Sequence, residues 1–180
     1  MIVSATKDII GDRQMAADNA RWFRFHFDEV QSLRDGLTLD TNVVPTLQNV
    51  AAKIFPPSEE DAGHHWVRDT EYVHVATAPL LGIIAVRNLY DRVTTLNAGR
   101  LWQRLHLWLT ARGLVAQPLN QPVERVDRER ELSRPDHTAL ALRRISGHAA
   151  WHPTFIFRAG YAKHPARMSP RRSVDAVMAA

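Results

Sequence analysis

The chain has 180 residues, 45% of them hydrophobic and 23% charged, with no cysteine and a formal charge of +4. That length suffices for one domain with a real core, and the missing cysteine excludes disulfides, thiolate zinc sites, iron–sulfur ligation and a cysteine nucleophile. No apolar run approaches the ~18–20 residues of a membrane-spanning helix, and Met1-Ile-Val-Ser-Ala lacks the basic and apolar regions of a secretory signal, so a soluble cytoplasmic protein is expected.

Residues 2–4 read as a short strand. Asp12 opens a helix whose apolar positions Met15, Ala16, Trp22, Phe23 and Phe27 lead to a stop at Gly36, with a break near Asp18-Asn19-Ala20. A turn-rich loop over 36–45 and a short helix over 46–54 follow, ended by Pro56-Pro57. The polar stretch 56–63 reads as an exposed loop or mobile lid, with Trp66 just beyond it. Leu80–Val86 is a continuous apolar run, expected as a strand buried on both faces. Asp91 caps a long helix reaching about Arg112, whose Leu101, Leu105, Trp108 and Leu109 form a core-facing stripe, and Gly113 closes it. A short strand over 114–117 precedes helices over 123–132 and 137–145. Residues 153–161 alternate as a strand with Phe155 and Phe157 on one face, and 169–177 turn into a short final helix. The expected fold is α+β, a small mixed sheet flanked by helices with a long central helix. It forms a single domain over 1–180, with a helical part over 1–78 and a sheet-containing core over 79–180.

Charge is divided unevenly along the chain. Residues 1–90 hold 8 Lys/Arg against 12 Asp/Glu, whereas residues 91–180 hold 15 against 7, and 20 of the 23 basic residues are arginine. Arginine pairs bidentately with carboxylate and phosphate, so the basic half reads as a solvated face, as a grip on a phosphate-bearing small ligand, or as a nucleic-acid surface. The nine histidines form no metal motif. His64-His65 point apart, His148 and His152 are interrupted by Pro153, and there is no His-Glu-x-x-His, so they read as surface or packed residues. A Gly-x-Ser-x-Gly elbow and a Gly-rich phosphate loop are also absent.

One segment stands apart: Gly113-Leu-Val-Ala-Gln-Pro-Leu-Asn-Gln-Pro-Val-Glu124. A strand ends in two prolines that bracket Leu119, Asn120 and Gln121, a bend expected to leave backbone N–H and C=O groups outside any ladder beside two side-chain amides. Such a turn suits the hydrogen-bonding edge of a planar heteroaromatic ring, and it equally suits an ordinary proline-rich turn.

The stretch 97–124 resembles the signature of nitroreductase-like flavoproteins, most of all their Acg-type subfamily. Pro153-Thr-Phe-Ile-Phe-Arg-Ala-Gly-Tyr161 resembles the late strand of that subfamily and Ser169-Pro-Arg-Arg172 its C-terminal turn, while Asp12-Arg-Gln-Met-Ala-Ala-Asp18 and Trp22-Phe-Arg24 are similar to its upstream part. The resemblance implies an FMN cofactor, with Pro118, Leu119, Asn120 and Gln121 against the isoalloxazine ring and Arg171 and Arg172 toward its phosphate. It implies hydride transfer from NAD(P)H through the flavin to a nitro or quinone-like acceptor, with orientation and electrostatics rather than a catalytic side chain supplied by the protein. Neither a metal, a nucleic acid nor a membrane is implied. Acg-type chains join two such halves around one flavin, and their first half carries a Pro-Ser-x-x-Asn-x-Gln-Pro-Trp-like segment and an early Arg-x-x-x-Arg group, neither of which is present in the early part of this sequence. The chain therefore resembles a C-terminal half, truncated relative to that pattern, and a homodimer or a partner chain is expected to complete the site. Two alternatives go with this reading: a flavin-binding or storage module without turnover, and an inactive remnant.

Overall fold

The computed structural model describes residues 1–38, 55, 57–163 and 168–178. The chain divides into two compact units, one of Met1–Gly11 with His65–Lys163 and the other of Asp12–His64 with His164–Ala180. The helical part expected over 1–78 is thus shared between them. In chain order the elements are α1 (Ile2–Gly11), α2 (Arg13–Ala20), β1 (Phe23–Arg24), α3 (Phe27–Leu33), β2 (Leu37–Thr38) and α4 (Glu59–Asp69). Helix α4 continues into a π-helical segment, Thr70–Val75, followed by β3 (Leu80–Val86), α5 (Arg92–Thr110), β4 (Val115–Pro118), α6 (Gln121–Glu131), α7 (His137–Ser146), β5 (His152–Gly160) and α8 (Val174–Met178). The mixture of helices with small sheets is α+β, as expected.

The first unit is built on a three-stranded sheet in the order β3-β5-β4, antiparallel throughout rather than mixed. On one face α5 packs against Ile84, Phe157 and Ala159 through Leu109, with Ala98, Trp102 and Leu105 beside it. The Trp102 ring lies 4.4 Å from Phe155 and 5.1 Å from Phe157, centroid to centroid. The opposite face holds Leu119, Val126, Leu142 and Ile156, covered by Ile2 of α1, Val123 of α6 and Ala139 of α7. A Cβ on Gly82 would enter the Phe157 ring, so only glycine allows the two strands this pairing.

Local chemistry explains the element ends. The Asp91 carboxylate accepts from the Thr94 N–H at 2.7 Å and caps α5, and this bond with the Thr94 side chain and backbone holds its carboxyl below the usual range. Gly113 at φ +73° follows the end of that helix. Buried Glu129 accepts from the Thr138 N–H at 3.1 Å and the Thr138 hydroxyl at 2.6 Å, so a side chain of α6 caps the start of α7.

Several expectations need correction. Residues 2–4 belong to a helix, because Ile2, Ala5, Thr6 and Ile9 recur at helical spacing and the last three are buried. The stretch 56–63 is not a loop throughout: α4 starts at Glu59, and Ser58 Oγ accepts from the Asp61 N–H at 3.1 Å as a helix cap. Trp66 sits on that helix. Strand β3 is an edge strand, with Ile84 and Val86 buried but Leu80, Leu81 and Ile83 exposed, so its unbroken apolar run does not mark burial on both faces. On α5 the buried stripe is rotated toward Ala98 and Trp102, leaving Leu101 54% and Trp108 51% exposed. The helix expected over 46–54 lies outside the described residues.

In the second unit, the Asp12 side chain caps α2 by accepting from the Gln14 and Met15 N–H groups, and α2 ends at Ala20, where a break was expected. Helix α3 ends before Gly36, with Arg34 itself in the left-handed region at φ 52°. Strands β1 and β2 pair in parallel, Phe23 with Leu37 and Arg24 with Thr38.

Candidate functional site

Pro118 closes β4 opposite Phe157, and the chain turns at once into α6. This turn is bound into the sheet more tightly than its two prolines suggest. The Leu119 N–H donates to the Ile156 carbonyl at 2.8 Å, which prolongs the ladder by one residue. The Leu119 side chain is 2% exposed within the aliphatic core. Asn120 Oδ1 accepts from the Ile156 N–H at 2.9 Å, and the Asn120 carbonyl accepts from the N–H groups of Val123 and Glu124. The expectation that these backbone groups lie outside any ladder is therefore corrected. A backbone group shut away from water must find a partner, and here β5 and the first turn of α6 supply it.

What the turn leaves over is carried by its side chains. Pro118 is exposed and Asn120 half-buried, and the Asn120 amide nitrogen has no partner among the described residues. Gln121 is 5% exposed, and its Oε1 is buried without a donor among the described residues. A buried carbonyl oxygen left this way costs on the order of 1–3 kcal/mol. Pro122 at the start of α6 lacks the N–H that would be unsatisfied there and presets the helical φ.

The two arginines expected at a phosphate lie in the other unit, just before α8, and they differ. Arg172 forms an ion pair with Asp35 and donates through Nε to the Leu33 carbonyl at 3.3 Å. Asp35 also receives Arg24, at 3.2 Å through Nε and 3.0 Å through Nη2, so two guanidinium groups share one carboxylate. Arg171 is exposed and has no partner among the described residues.

A flavin mononucleotide presents a ring edge with both donors and acceptors, and a dianionic phosphate. The turn fits the ring edge in kind, Asn120 offering an amide N–H and Gln121 an acceptor with no donor among the described residues; in the other unit, Arg171 is a cation of the kind a phosphate pairs with. Arg172 fits less well, because its guanidinium is already engaged by Asp35 and the Leu33 carbonyl.

Sequence reasoning passed over a second polar group in the sheet unit, centred on Arg158 of β5. The available signal was a charge inside an otherwise apolar strand, Phe155-Ile-Phe-Arg-Ala159. Among the described residues no cluster of three or more His, Asp or Glu is placed to hold a metal ion, and no helix is long and apolar enough to cross a membrane. No protein-family model, curated protein or solved structure matches the chain.

Proposed function

We propose that the chain is an FMN-dependent oxidoreductase of nitroreductase type, taking hydride from NAD(P)H to a nitro or quinone-like acceptor, with a second copy completing the site. The observation that carries this reading is the turn after β4. Its backbone is held by Ile156, while the Asn120 amide nitrogen and the Gln121 oxygen have no partner among the described residues. A rigid turn with spare amide groups positions a planar ring at low entropic cost. Asn120 donates to the ring edge, Gln121 accepts from it and Pro118 offers a flat apolar surface; the resemblance implies Arg171 as the cation for the phosphate. The flavin supplies the redox chemistry when bound; the chain supplies orientation and charge. A second copy is favoured by the apolar residues exposed along α5, Val93, Leu96, Leu101, Leu107 and Trp108.

The purified chain, incubated with FMN and desalted, retains a yellow chromophore that NADH or NADPH bleaches under anaerobic conditions. Asn120→Asp keeps the acceptor for the Ile156 N–H and removes the amide donor, so it lowers flavin retention without lowering the unfolding midpoint. Arg171→Ala lowers retention as well. Leu101→Glu with Trp108→Glu yields a monomer by light scattering and loses flavin in parallel. A folded dimer that leaves FMN unbound sinks the reading, and bound flavin that neither nicotinamide nucleotide reduces selects the storage module instead.

A further inference from the structure

Arg158 of β5 and Gln117 of β4 are cross-strand partners. Arg158 Nε donates to Gln117 Oε1 at 2.7 Å, and Nη1 donates to the carbonyls of Val73 at 3.0 Å and His74 at 3.3 Å. All three acceptors are neutral. Among the described residues no carboxylate pairs with this half-buried guanidinium, and its Nη2 has no acceptor. Burial lowers the Arg158 pKa from its ordinary value, which is the response of a charge lacking a counter-charge. The π-helical segment that lends the two carbonyls also holds two polar atoms with no partner among the described residues: the hydroxyl of Thr70, a residue 0% exposed, and His74 Nδ1. Burial and the Arg158 charge lower the His74 pKa, while Asp69 opposes them. Native proteins seldom leave buried polar atoms unpaired, and π-helical turns recur at functional sites.

We propose that Arg158, His74 and Thr70 form a binding site for a small oxyanion, a carboxylate or a phosphate ester. The anion supplies the missing counter-charge. It accepts from Arg158 Nη2 and from the Thr70 hydroxyl, and His74 adds a third donor when its Nδ1 takes a proton. None of these residues belongs to the turn after β4, so the site stands or falls independently of the flavin reading.

The test follows the His74 imidazole by NMR in the full chain without flavin, titrating inorganic phosphate and, separately, acetate, against sodium chloride at equal ionic strength. The His74 signals are expected to move in the millimolar range with an oxyanion and not with chloride. The imidazole pKa is expected to rise, because a bound anion favours the imidazolium. The charges acting on His74 are Arg158 from β5 and Asp69 at the end of α4; α1, which also packs on this segment, carries Lys7 and Asp8, the latter paired with Arg125. Arg158→Gln weakens the response about tenfold or more, and Thr70→Val, which keeps the side-chain shape, weakens it about fivefold. Should Arg158→Gln fail to fold, Thr70→Val and Arg158→Lys carry the comparison. Response to phosphate alone identifies a phosphate ester, and response to acetate alone a carboxylate. No response in the unaltered protein, an equal response to chloride, or an undiminished response in a folded Arg158→Gln chain overturns the proposal.

Discussion

Strand β5 serves both faces of its sheet, and it treats them differently. Toward α5 it presents Phe155, Phe157 and Ala159, an unbroken apolar row closed by Trp102 and Leu109. Toward the other side it presents Ile156, seated among Leu119, Val126 and Leu142, and then Arg158, which reaches Gln117 and the π-helical segment. Dispersion and water exclusion suffice on the first face. On the second, each polar group needs a partner of the right kind, and three in that neighbourhood are incompletely served: Thr70 Oγ1, His74 Nδ1 and Gln121 Oε1. Both faces hold buried apolar residues, but only the mixed face adds polar groups, and it is where both proposed ligands would act.

That division can be broken most severely at Phe157. Phe157→Ala removes the ring between Gly82 and Trp102 and is expected to cost about 3–5 kcal/mol in urea-induced unfolding. Gly82→Ala attacks the same contact from the opposite strand; its Cβ overpacks the ring, for an expected loss of about 1–3 kcal/mol in the same measurement. A loss under a few tenths for either would show that this face contributes little to stability. At the turn, Asn120→Ala strips the acceptor from the Ile156 N–H and should cost about 1 kcal/mol. Asn120→Asp should cost far less, so the pair separates the structural bond from the ligand-facing amide.

The smallest effect is expected from pH. His74 has a folded pKa below its ordinary value, so the unfolded chain binds the proton more readily. The stability linked to His74 is complete above about pH 6.5 and is lost as pH falls through that value toward the lower folded one. Thermal melts of the unaltered chain and of His74→Gln should converge toward acid pH, and a constant gap between them would show that His74 contributes nothing to the dependence.

Much of the sheet unit was legible in the sequence because its signals are local. Asp91 and Gly113 bracket α5, the Pro79-initiated apolar run marks β3, and alternation through Phe155 and Phe157 marks β5. Ser58-Glu-Glu-Asp61 carried a capping signal as plain as that of Asp91, but the neighbouring Pro56-Pro57 favoured a loop reading. The candidate turn was located correctly at Pro118–Gln121, whereas its hydrogen bonding was not, since the partner of Leu119 and Asn120 is Ile156, 36 residues beyond Asn120. Arg172 looked as available as Arg171 until Asp35, far away in sequence, claimed it.

By itself the sequence determined the α+β class, the caps of α5 and the places of β3, β4 and β5, which depend on neighbours within a few residues, and it carried the division of charge between the halves. Only the tertiary structure decided that β5 lies between β3 and β4, that β3 is an edge, and that α5 turns Trp102 rather than Trp108 inward. It also decided that Arg158 faces carbonyls instead of a carboxylate. The physical reason is the same in each case: burial and partner choice are set by groups from distant parts of the chain, whose approach no local spacing encodes.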